Sequence, residues 1–214
     1  MTLKKKSTPV IFTAEINFDK YINKCYDKVW LRSDLIFFGD TMANALGHFK
    51  TITRHRHMVI KHCKKAGIFW QGLRHDLSKY SPAEFIPGAK YYLGTRSPNE
   101  AERNDIGYST AWLHHKGRNR HHYEYWQDYN PKTKKMEPVE MPIKYFKEMF
   151  CDRVAASKIY QGKNYTNAHP LEYFTRAKDR ILIHENTKAL LEKALTILAE
   201  QGEDTAFEFI RNLK

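Results

Sequence analysis

The residues most able to do chemistry in this chain are its histidines. There are eleven, and nine lie between residues 48 and 122: His48, His55, His57, His62, His75, His114, His115, His121 and His122. A single imidazole has an ordinary explanation as packed core or solvated surface. That explanation serves His48, His57 and His62, although His48, His55 and His62 recur every seven residues and so share a helix face. It weakens where imidazoles meet carboxylates from separate segments. His75 and Asp76 are adjacent in Gly72-Leu73-Arg74-His75-Asp76-Leu77-Ser78-Lys79. Such a pair supplies a neutral ring nitrogen and a carboxylate whose two oxygens can bridge two ions. Downstream, His114-His115-Lys116-Gly117-Arg118-Asn119-Arg120-His121-His122 places four histidines around a glycine turn. Asp152, in Glu148-Met149-Phe150-Cys151-Asp152-Arg153, needs a metal or Arg153 as partner if it faces inward among its apolar neighbours.

These groups must be positioned by helices, because the apolar periodicity is mostly helical. Residues 1–14 read as a tail. Helices are expected over 18–31 and 35–66, the second closing at the C-cap candidate Gly67. A short helix over 69–77 would carry His75 and Asp76. Ser81-Pro82-Ala83-Glu84 has the form of a helix start, with Ser as N-cap, Pro at the first position and Glu three residues on. Ser97-Pro98-Asn99-Glu100 repeats it and opens a segment to about 115. A loop through Gly117, an aromatic stretch at 123–126 and a polar turn at 130–138 follow. A further helix spans 142–157, and two or three more cover 170–213. Alternating Val, Ile and Thr are nearly absent, so the expected fold class is all-α, a single domain over 15–214 with any strands short. The metal-site core would span about 48–160.

Read in order, the groups give His, His-Asp, His, His-His, Asp. This order resembles the HD-domain superfamily of metal-dependent phosphohydrolases, which are helical proteins. The motifs HDLSK (His75 to Lys79), H-x-x-x-N-x-HH (His115 to His122) and EM-x-x-D (Glu148 to Asp152) are similar, over nearly the whole length, to those of a bacterial and phage family. The resemblance implies an HD-like helical bundle with His55, His75, Asp76, His115, His121, His122 and Asp152 as metal ligands. His57 stands as the alternative to His55, and His114 to His115. Asp76 would bridge if two ions bind. Catalytic roles would fall to Asp76, Lys79 and His115, and substrate phosphate would meet Lys79, Arg118 and Asn119. The implied cofactor is one or two divalent ions of Mn, Fe, Co, Ni or Zn. The implied reaction is hydrolysis of a phosphomonoester or phosphodiester, of a nucleotide or related molecule, by metal-activated water. Two other readings compete: an HD-type di-iron oxygenase, and a non-enzymatic basic protein that binds nucleic acid or a partner around a structural metal.

Composition sets the outer bounds. The 214 residues carry 36 Lys+Arg against 24 Asp+Glu, a formal charge of +12, which suits an anionic small molecule such as a nucleotide and allows nucleic acid. No apolar run approaches the ~20 residues a bilayer requires, so no membrane association is expected. The basic start at Met1 lacks an apolar stretch after it, and Cys25, Cys63 and Cys151 form no CxxC, so a cytoplasmic protein with reduced thiols is expected. There is no P-loop or GxGxxG fingerprint, and Ser78 and Ser81 lack the setting of a nucleophile. Trp70, Trp112, Trp126 and Tyr91-Tyr92 are expected to pack in the core, with Tyr123 and Trp126 as candidates for a pocket wall.

Overall fold

A computed structural model describes residues 44–214. The tail expected over 1–14, the helix expected over 18–31 and the first part of that expected over 35–66 lie outside the described residues. The first described helix, α1 (residues 44–65), buries Ile52, His55, Val59, His62 and Cys63, a stripe at three- and four-residue intervals. It ends at Gly67, whose φ of 78° is the left-handed conformation that stops a helix.

The helix expected over 69–77 is shorter than its sequence suggested. α2 covers Phe69–Gly72 only, and a 3₁₀ turn follows at Leu77–Tyr80. After Gly72 the chain runs on in turns to Asp76, which adopts φ 52° and ψ 28° and so cannot continue a right-handed helix. His75 and Asp76 therefore sit in a turn. α3 (Pro82–Lys90) begins where the Ser-Pro start placed it. The segment expected to run from Ser97 to about 115 is two helices, α4 (Pro98–Ile106) and α5 (Thr110–Lys116), parted at Gly107 with φ 86°. Ser109 caps α5 by accepting the amide of Trp112 at 3.0 Å, and it donates to the buried Glu102 at 2.6 Å.

The polar turn at 130–138 is a hairpin of β1 (Gln127–Asn130) against β2 (Lys135–Pro138), antiparallel with Asn130 opposite Lys135. α6 (Ile143–Gln161) then runs through the core, and α7 (His169–Ala177), α8 (Glu185–Gln201) and α9 (Glu203–Asn212) close around it. Phe146, Phe150 and Val154 of α6 meet Phe174 of α7, Leu195 of α8 and Phe207 of α9 in one cluster. Each fully buried aromatic or branched side chain there contributes roughly 1.5–3 kcal/mol. The fold of the described residues is all-α, and none of their helices is long and apolar enough to cross a membrane.

His48 packs against Phe85 and Tyr92, and His62 lies against Phe207 with its Nδ1 3.2 Å from the carbonyl of Cys151. Both are core groups. Trp70, expected in the core, is instead 75% exposed on the short α2, where no neighbouring helix covers it among the described residues.

Candidate metal centre

The turn after α2 points both Asp76 oxygens into the interior, and four other elements bring imidazoles or a carboxylate to meet them. Oδ2 lies 3.2 Å from His75 Nε2 and 4.0 Å from Nε2 of His55 on α1. Asp152 on α6 completes this first group, its Oδ1 2.9 Å from His55 Nε2 and 3.6 Å from His75 Nε2. Oδ1 of Asp76 faces a second group, 3.3 Å from Nε2 of His115 on α5 and 3.4 Å from Nε2 of His121 in the following loop. His122 joins it with Nε2 2.9 Å from that of His115. Within each group the potential ligand atoms lie within 4.8 Å of one another.

All seven ligands expected from the sequence are therefore together. The two alternatives resolve by helix geometry. His57, two residues on from His55, is turned to the exposed side of α1. His114 turns its Nδ1 to Glu84 and belongs to neither group.

The donor set fits divalent ions. Nε2 of His55, His75 and His121 and both Asp76 oxygens are buried without a well-formed hydrogen bond, the Asp76 contact with Lys79 Nζ at 2.6 Å being an ion pair. Lys79 answers Oδ2 alone; Oδ1 and the three imidazole nitrogens are left with a desolvation cost that a cation shared among them would offset. Mixed imidazole and carboxylate donors suit Mn, Fe, Co, Ni or Zn.

Two glutamates that sequence reasoning did not assign orient the rings. Glu148, one helical turn before Asp152 on the same face of α6, accepts from His75 Nδ1 at 2.9 Å and lies 3.3 Å from His121 Nδ1. Glu84 accepts from His115 Nδ1 and His114 Nδ1, each at 2.7 Å. An imidazole that donates from Nδ1 presents its Nε2 lone pair, so these carboxylates select the tautomer that can bind an ion. His75, His121 and Glu148 also form a compact trio of potential ligands. Since the trio meets at the Nδ1 side of rings whose Nε2 atoms face Asp76, it is the outer support of the two groups and not a third site. Glu84 fills the position of a capping-box glutamate, which is how the sequence presented it, but the Ser81 side chain makes no cap and its hydroxyl donates to the Ser78 carbonyl.

Charge is arranged accordingly. Burial opposes the charged form of His75, but Asp76, Asp152 and Glu148 outweigh it and hold the ring well above its ordinary pKa. Burial likewise opposes Asp76 and Asp152, yet the cationic partners keep both well below the usual carboxylate range. Glu148 is drawn down to about 2 against its own burial by hydrogen bonds from His121 and His75. His115 is raised by Asp76 and Glu84 despite burial, while burial and two neighbouring imidazoles push His122 well down. Because a ligand nitrogen must lose its proton to bind an ion, protons on His75 and His115 compete with loading. Below a raised pKa the proton stays, so ion affinity should rise with pH and keep rising above the ordinary imidazole value of about 6.5, with proton release. Calorimetric titration in buffers of different ionisation enthalpy measures both; a pH-independent affinity with no released proton would contradict this charge arrangement.

Five of the seven residues, His55, His115, His121, His122 and Asp152, line a cleft of about 660 Å³ whose lining also includes the cations Lys79, Arg96, Arg103, Arg153 and Arg176. Trp112 and Tyr123 form part of its wall; Trp126 does not, packing instead against Tyr145. Two of the expected phosphate contacts are corrected. Arg118 is exposed and outside the lining, because the turn after α5 directs it to the surface. Asn119 is also outside it, its amide donating to Ser78 Oγ and the His115 carbonyl, both at 2.8 Å. It braces the His115 turn. Lys79 does line the cleft.

No curated protein and no solved structure matches the chain. Residues 44–197 match a model described as "Family of unknown function (DUF5662)", a span that contains every residue of both ligand groups and both supporting glutamates. With most of its length covered by that match, the chain belongs to the DUF5662 family.

Proposed function

We propose that the protein is an HD-like metal-dependent phosphohydrolase acting on an anionic small molecule, a nucleotide or related phosphoester. The observation that carries this reading is the Asp76 carboxylate, whose two oxygens face two separate ligand groups. Divalent ions bound there would supply a nucleophilic hydroxide near neutral pH and offset charge developing on the phosphoryl oxygens. His55, His75 and Asp152 would hold one ion and His115, His121 and His122 the other, with Asp76 shared. Glu148 and Glu84 keep the rings aimed inward. Lys79, paired with Asp76 and lining the cleft, places fixed positive charge where a phosphoryl oxygen would sit. The remaining cleft cations attract the anion and orient it.

Metal content of the purified full-length protein, measured with a panel of phosphomonoesters and phosphodiesters, tests the proposal. About two equivalents of ion after reconstitution, with hydrolysis that a chelator abolishes, is the expected result. Failure to retain any of Mn, Fe, Co, Ni or Zn, or a loaded protein inert on the whole panel, would sink it. Five imidazoles and two carboxylates are also a donor set for iron. Oxygen uptake by the iron-loaded sample without phosphoester turnover would move the assignment to an oxygenase.

A further inference from the structure

We infer that the cleft contains a second anion-binding subsite at Arg153, so that the molecule it takes carries another negatively charged group besides the one at the metal centre. This rests on the proposed function for the position of the first group only. Arg153 follows Asp152 on α6, lines the cleft and is half-buried. It makes no ion pair or hydrogen bond among the described residues, and its Nε is buried without a partner. The other cleft cations differ. Lys79 is paired with Asp76 and Arg96 with Glu100 at 3.6 Å, while Arg103 and Arg176 are exposed to water.

A partly desolvated guanidinium without an anion is costly to keep, and its fixed fork of donors matches the two oxygens of a phosphate or carboxylate. The groups around it do not supply that anion. Asp152 turns its oxygens to His55, His75 and His121, at 2.9 to 3.9 Å. Glu124 lines the same cleft but is not within ion-pair distance of Arg153. The Tyr123 ring lies under the guanidinium, 5.8 Å from centre to carbon, and burial pushes its hydroxyl pKa up, so it stays a neutral platform. Arg176 lines the same cleft and adds to its positive character. A cleft of about 660 Å³ is also of a size for a whole organic ligand and far exceeds a single phosphate. The ligand class is a phosphoester bearing a second oxyanion, either phosphate or carboxylate.

Binding of α,ω-alkane bisphosphonates of increasing chain length to the metal-loaded full-length protein tests this, with methylphosphonate as the single-headed reference. At one chain length the bisphosphonate should bind about tenfold or more tighter than methylphosphonate, the gain expected of one charge-assisted contact. Arg153→Gln should remove that gain while metal stoichiometry and the circular dichroism spectrum stay as in the parent. An ω-carboxyalkylphosphonate of matching length tells whether a carboxylate serves as well. If no bisphosphonate outperforms methylphosphonate, or if the gain survives in Arg153→Gln, the subsite is overturned and the metal reading stands. If methylphosphonate itself fails to bind the loaded protein, both fall.

Discussion

Asp76→Asn should cost the protein both ions at once. The substitution keeps side-chain size, and asparagine tolerates the left-handed backbone at φ 52° as well as aspartate does, so little of the effect would come from the turn. What changes is the pair of oxygens. An amide offers one acceptor, and its NH₂ group must then face either His55 and His75 or His115 and His121. Reconstituted metal should fall from about two equivalents to below one, and phosphoester hydrolysis to the level of the chelated parent. The substitution also leaves Lys79 and the rings around it without their shared buried anion, a change that costs on the order of 3–5 kcal/mol when one partner of a buried pair is lost. Elemental analysis and thermal unfolding of the metal-free protein read the two effects separately. Full retention of two ions by this variant would rule out a shared carboxylate.

Glu148→Gln and Glu84→Gln should divide the centre. Glu148 supports His75 in the first group and His121 in the second, so its loss should weaken both positions by about 10–100-fold. Glu84 touches His115 alone among the ligands, so its loss should weaken the second position by a similar factor and spare the first. Stepwise titration against a competing chelator resolves two affinities in the parent. In Glu84→Gln only one of them should move; equal movement of both, or of neither, would contradict the assignment of Glu84 to one side.

The seven residues that the structure groups together could be picked out in the sequence because imidazoles and carboxylates stood in the order of a known helical family, on segments with helical periodicity. Helix boundaries that carry local chemistry were readable too: Gly67, Ser81-Pro82 and Ser97-Pro98 fall where their residue types placed them. What escaped depends on distance or phase. Glu84 is 31 residues from His115 and resembled a cap; only the packing of α3 on α5 brings them together. Arg118 and Asn119 are neighbours of the histidines along the chain, yet the turn faces them elsewhere. The choice of His55 over His57 needed the rotation of α1 about its axis. The left-handed Asp76 had only a weak local signal, since aspartate visits that conformation more readily than most residues but takes it where its surroundings impose it.

Gly72 closes α2 directly on Cys63 of α1, so closely that a Cβ there would stand 2.5 Å from the cysteine Cβ. The chain therefore enters the His75-Asp76 turn already seated against the helix that carries His55. The approach of His75 and Asp76 to His55 is thus set by a contact between the Gly72 backbone and the Cys63 side chain, several residues from any donor atom. A larger residue at that crossing would push the turn, and with it His75 and Asp76, away from α1 while leaving every donor residue in the chain.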